Sequence, residues 1–155
     1  MPVVVALRPV EDDDLPLFFE WQADEESFRM AAVAPRDAEA FAAHWSRIRN
    51  DDGTTLRTIV ADGAVAGHVL SWTASDGRMV GYWLGKAYWG QGIASSALEL
   101  FLEVERHRPL LATVAEHNTG SRRVLEKAGF ELDSTKLVDD GPVPGAFAEL
   151  GFRLE

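Results

Sequence analysis

The 155-residue chain contains no cysteine. That excludes disulfides and thiolate-ligated zinc, and it fits a reducing compartment, so a cytoplasmic location is expected. No apolar run approaches the roughly 18 residues that span a bilayer, and no membrane partner is expected. The N-terminal MPVVVALRPVEDDD has neither a charged n-region nor a cleavage site, so it reads as an edge of the fold rather than a signal peptide. Positive charge is scarce, with 15 Lys and Arg against 25 Asp and Glu, a net −10. Such a surface repels phosphate backbones and argues against general nucleic-acid binding. It leans towards cationic small molecules or basic peptide ends, besides serving solubility. His44, His68, His107 and His117 show no metal-ligand spacing, so no metal is expected.

The chain is 46% apolar, enough for a globular core, and its length suits one domain over residues 1–155. VVVALRPV (3–10) is short and β-branched, a strand pattern. Two helical patterns follow, over 11–24 and 35–51. The period then changes. LRTIVADGAVAGHVLSW holds two strand-like runs about Asp62-Gly63, a hairpin signal, and RMVGYWLG (78–85) is a third run. After it Ile93, Ala94, Ala97, Leu98, Phe101 and Leu102 fall on one helical face. PLLATVA (109–115) is a buried strand pattern, and NTGSRRVLEKAGF (118–130) a helix with Asn118 as N-cap and Gly129 as its stop. Two more strands about DDGPVPG (139–145) close the chain. The expected fold is α/β: about seven strands in a mixed, mostly antiparallel sheet with four flanking helices. The acidic stretch ADEESFRM (23–30) is expected between the first two helices, where Asp24, Glu25 and Glu26 are either a solvated acidic loop or a lure for an ammonium group.

YWGQGIASSALEL (88–100) sets two glycines at the start of a helix, next to a strand. The first N–H groups of a helix lack internal acceptors, and its dipole favours negative charge there. With no Cβ at Gly92, an anion can approach the backbone closely. By itself this is either a plain strand-to-helix turn or a phosphate cradle.

The segment Asn118…Ser121…Gly129-Phe130 follows one helix and one strand later. Together the two segments resemble the GNAT superfamily of acetyl-CoA-dependent N-acetyltransferases. The branch of ribosomal-protein N-terminal acetyltransferases is the most similar, with its GYWL…WGxGIA…AL and N-x-x-S-x-x-x-L-E-K-x-G-F patterns, matched here from Gly81 to Phe130. The resemblance implies an acetyltransferase fold over the whole chain, with acetyl-CoA as acyl donor and a primary amine as acceptor. It also implies that Trp83 and Leu84 offer backbone groups to the pantetheine arm. The turn Trp89, Gly90, Gln91, Gly92, Ile93, Ala94 and Ser95 would wrap the pyrophosphate. The strand ending near Ala115 would splay from its neighbour, opening the slot where thioester and amine meet. The acceptor is then a protein N-terminus or a small, possibly cationic, amine, and the protein a monomer or homodimer.

Many superfamily members carry a tyrosine seven residues after the motif asparagine, as general acid for the leaving thiolate. Here that residue is Leu125, and the only tyrosines, Tyr82 and Tyr88, lie outside this helix. In this branch the serine three residues after the asparagine is thought to take over, which points to Ser121, with Asn118 orienting the cofactor's amide end. Where branch members often have a glutamate after the phosphate turn, this chain has Ser96. Glu99, Glu116, His117 and His68 are the candidate bases instead, and deprotonation through water is an equal alternative. Two rival readings remain: a non-catalytic acyl-CoA-binding module, and a dinucleotide-binding protein suggested by GQGIAS. The antiparallel hairpins before the motif and the absence of a second βαβ half count against the latter.

Overall fold

The computed structural model describes residues 2–141 and 145–155. Among these, seven strands form one sheet: β1 (Val5–Arg8), β2 (Thr55–Ala61), β3 (Ala64–Ala74), β4 (Gly77–Leu84), β5 (Leu110–Ala115), β6 (Glu131–Val138) and β7 (Phe147–Leu154). Their spatial order is β1-β2-β3-β4-β5-β7-β6. Every neighbouring pair is antiparallel except β4 and β5. Asp62-Gly63 makes the hairpin, both residues at positive φ (49° and 83°), as a two-residue turn matched to strand twist requires. Part of the final turn expected at 139–145, residues 142–144, lies outside the described residues.

Among the described residues five helices flank the sheet rather than the expected four: α1 (Leu15–Ala23), α2 (Glu25–Ala31), α3 (Ala38–Arg49), α4 (Ile93–Val104) and α5 (Thr119–Lys127). The extra one is α2. The stretch 23–30, expected as a spacer, folds because Asp24 caps it, its Oδ2 accepting from the Ser27 N–H (3.0 Å) and hydroxyl (2.7 Å). Seven residues show too little periodicity to register in sequence, and so short a helix depends on its cap and its packing.

The sheet has a core on each face. Ile93, Ala97, Leu98 and Phe101 of α4 and Leu125 of α5 bury against Ile59, Val69, Val80, Leu110 and Phe152. Phe18, Phe41 and Trp45 of α1 and α3 form the second cluster, with Leu56 and Val65 packed against it. His68, next to Val69 on β3, points to this second face, since consecutive strand residues face opposite ways. Its ring lies 4.8 Å from that of Phe18 and 4.9 Å from that of Trp45. Burial there pushes its pKa down to about 3. As a candidate base facing the cleft, His68 is overturned: it lies half-buried against Phe18 and Trp45 and does not line the cleft.

The site is positioned by a failure of pairing. β4 and β5 are in parallel register only at Arg78 with Leu110 and Met79 with Leu111. Beyond those two positions they part, and β5 turns instead to β7, with which it pairs over all six of its residues. The splay expected at Ala115 is present.

Candidate functional site

A cleft of about 440 Å³ opens at the C-terminal ends of the parting strands. Tyr82, Trp83 and Leu84 of β4 line one side, Trp89, Gly90 and Gly92 to Ser95 the second, the first turn of α5 the third, and Ser27, Met30 and Ala31 of α2 the fourth. A recess of about 120 Å³ continues between the strands, walled by Val80, Leu98, Ala112 and Leu125. Tyr82, Asn118 and Ser121 border both spaces and mark their junction.

The glycine turn is built for close approach. Gly90 and Gly92 have φ of 75° and 76°, and a Cβ on either would meet nothing within 4 Å. Ser96 bonds the Gly92 carbonyl at 3.1 Å, the first turn of α4 closing on itself. The N–H groups of Ile93, Ala94 and Ser95 precede that bond and have no acceptor within the helix. Bare backbone donors, a helix dipole and open space therefore coincide, which suits a pyrophosphate. Trp89 braces the turn by donating from Nε1 to the Leu84 carbonyl at 3.3 Å. Gln91 does not line the cleft; its Nε2 donates back to the Ala87 carbonyl at 3.0 Å.

Ten expected cofactor or catalytic residues come together at the cleft: Trp83, Leu84, Trp89, Gly90, Gly92, Ile93, Ala94, Ser95, Asn118 and Ser121. Asn118 does cap α5, its Oδ1 accepting from the Ser121 N–H at 3.3 Å. That leaves its Nδ2 as a donor for a ligand. The indole Nε1 of Trp83 is buried and has no partner among the described residues. Sequence reasoning set Tyr82 aside for lying outside α5. In space its hydroxyl is 2.8 Å from Ser121 Oγ, and burial raises its pKa. The only sequence signal for this was its place in GYWL.

The acidic trio is otherwise engaged. Asp24 caps α2 and pairs with Lys86 at 3.3 Å, Glu26 pairs with Lys86 at 3.4 Å, and Glu25 pairs with Arg29 at 2.9 Å. The Ser27 hydroxyl and N–H, aided by Lys86, hold the Asp24 carboxyl below its ordinary range. None of the three lines the cleft. Nor do Ser96, Glu99, Glu116 and His117. The His117 Nε2 lies 3.1 Å from the Arg29 carbonyl, tying the end of β5 to α2. Among the described residues no group of three or more His, Asp or Glu is arranged to hold a metal ion. No helix among them is long and apolar enough to cross a membrane.

The parted parallel strands, with a glycine turn opening one helix and an asparagine capping the next, define a class, and comparison with known proteins agrees. The chain belongs to the acetyltransferase (GNAT) domain family, whose model matches residues 5–131. A probable N-acetyltransferase of Bacillus subtilis, YjcK, is 48% identical over 59 residues, 35% of this chain and 32% of that protein. The match thus spans about a third of its length. Among solved structures, the spermidine N-acetyltransferase of Vibrio cholerae in complex with CoA and spermine superposes with a TM-score of 0.82 at 14% identity, covering 97% of this chain and 94% of the other. RimJ of Mycobacterium smegmatis in complex with CoA-disulfide gives 0.77 at 24% identity, with 99% and 84% covered. At these identities the likeness is one of fold.

Proposed function

We propose that the protein is an acetyl-CoA-dependent N-acetyltransferase that transfers the acetyl group to a primary amine by direct attack in a ternary complex. The observation that carries this is the single cleft running from the glycine turn to Asn118 and Ser121 between parted strands. Backbone N–H groups of Ile93 to Ser95 hold the pyrophosphate, and the edge of β4 that faces the gap binds the pantetheine arm at Leu84; the Trp83 backbone, expected to share this role, is turned to β3 and its partner His68. Asn118 orients the far end of the arm. When bound, acetyl-CoA supplies an acyl carbon open to attack and a thiolate as leaving group. As the new C–N bond forms and the C–S bond breaks, nitrogen loses one proton and sulfur gains one. Ser121 donates to the sulfur, and water carries the amine's proton away and restores the serine, since no carboxylate or imidazole lines the cleft among the described residues.

The acceptor is a protein N-terminus or a small amine. The Vibrio cholerae structure holds spermine, and a further fold relative is an aminoglycoside acetyltransferase. The GYWL and N-x-x-S patterns favour the ribosomal-protein N-terminal acetyltransferase branch. The reading includes a single domain, a cytoplasmic location and a monomeric or homodimeric state. Thiol release from acetyl-CoA should be screened against N-terminal peptides, polyamines, aminoglycosides and amino-acid amides, with products weighed by mass spectrometry. Acetylated product from one class supports the proposal. Coenzyme A binding without turnover of any amine leaves a binding module, and no binding by calorimetry defeats both.

A further inference from the structure

The superfamily's usual phenol is missing from α5, where Leu125 is buried, yet a phenol reaches the same serine from elsewhere. Tyr82 stands on β4 and Ser121 in the first turn of α5, and their hydroxyls meet at 2.8 Å across the gap between β4 and β5. We propose that Tyr82 is the positioning residue for Ser121: its phenol donates to the serine oxygen and leaves the serine's own hydrogen to point into the cleft. This rests on the reading of Ser121 as the group that assists the leaving thiolate.

The direction of the bond follows from acidity. A phenol titrates near 10 and an aliphatic alcohol far higher, so the phenol is the better donor and the alcohol oxygen the better acceptor. Tyr82 is fixed for the task, its ring packed against the core of α4 and α5. Burial raises its pKa, so the donor is present throughout the working range. Without such a partner a helical serine turns its hydrogen back onto the carbonyl three or four residues earlier. With Tyr82 donating, one lone pair of Oγ is taken and the hydroxyl is aimed at the junction of cleft and recess. Tyr82 itself exchanges no proton with the substrate.

The test compares Tyr82→Phe, Ser121→Ala and the double variant. Under single-turnover conditions Tyr82→Phe should lower the rate about tenfold, the scale of one lost hydrogen bond, while the Kd for acetyl-CoA by calorimetry stays within about twofold. The double variant should be no slower than Ser121→Ala, because Tyr82 acts only through Ser121. A second measurement needs no turnover and no change at position 82. In a Tyr88→Phe background, with Tyr82 the one remaining phenol, its titration should move upwards when Ser121 becomes Ala, since the serine hydroxyl stabilises the phenolate. Independent, multiplying losses in the double variant, an unchanged rate in Tyr82→Phe, or a loss carried by Kd alone would overturn the proposal. So would an unmoved titration. Should the wild type acetylate no amine, the enzymatic reading fails separately, and the titration still reports whether the pair exists.

Discussion

Gly85 and Trp21 touch so closely that no side chain fits at 85. A Cβ there would lie 2.6 Å from Cε2 and 2.9 Å from Nε1 of the indole. The Gly85 backbone is ordinary, with φ of −60°, so the requirement is space and not conformation. The contact docks α1 on the first residue of the turn that leads through Lys86 to Tyr88 into the glycine cradle. Tyr88 leans on the same indole, with ring centres 6.2 Å apart. Gly85→Ala should therefore destabilise the protein by about 1–3 kcal/mol through overpacking, and it should weaken acetyl-CoA binding because the turn is displaced. Thermal unfolding and calorimetry check both; wild-type values in both would show that Trp21 yields without moving the turn.

Gly92 is needed for the opposite reason. Space around it is open, but its φ of 76° is left-handed. Gly92→Val should meet backbone strain of about 1–2 kcal/mol and set two methyls where an anion would approach. Acetyl-CoA affinity should fall by more than tenfold, and by less in Gly92→Ala, which shares the strain but carries less bulk. Equal affinities in wild type and Gly92→Val would end the case for a cradle here.

The acidic trio divides by partner. Asp24→Asn keeps a capping side chain for α2 and loses only the charged tie to Lys86, so stability should hardly change, whereas Asp24→Ala removes the cap as well and should lower it. Glu25→Gln loses only an exposed i,i+4 pair and should leave stability within about 0.5 kcal/mol. If these charges steer a cationic amine, the triple Asn/Gln variant raises the acceptor's KM, most at low salt, and leaves that of acetyl-CoA unchanged. Identical acceptor kinetics would reduce them to a cap and surface ion pairs.

His68 makes stability pH-dependent. Its pKa falls from 6.5 to about 3 on folding, chiefly by burial, with a smaller push from His44. Above 6.5 both states are neutral and it contributes nothing. As pH falls from 6.5 towards 3 the unfolded chain binds the proton and the folded one does not, so stability declines. At pH 5 the loss is about 2 kcal/mol relative to pH 8. His44, itself lowered to about 4, adds in the same direction. Urea unfolding between pH 8 and 4.5 should show this slope. It should be markedly flatter in His68→Leu; an unchanged slope would assign it to other groups.

The sequence by itself determined most of the order of elements and the address of the site. Alternation and 3.6-residue periodicity are local properties, and so are the Asp62-Gly63 turn and the cap at Asn118. Each is legible because neighbours in sequence are neighbours in space. The helix α2 was not legible, since seven residues held by one cap and by packing leave little pattern. Only the tertiary structure could turn His68 away from the cleft, because which face a strand residue meets depends on which helices lie over it. The same holds for Gly85, whose need for a bare Cα comes from an indole 64 positions earlier. Tyr82 and Ser121 are 39 residues apart, and nothing in either segment announces the other. Their hydroxyls meet because β5 leaves β4 after two paired positions and α5 packs beside the gap. That is a decision of sheet pairing, made by the whole chain at once.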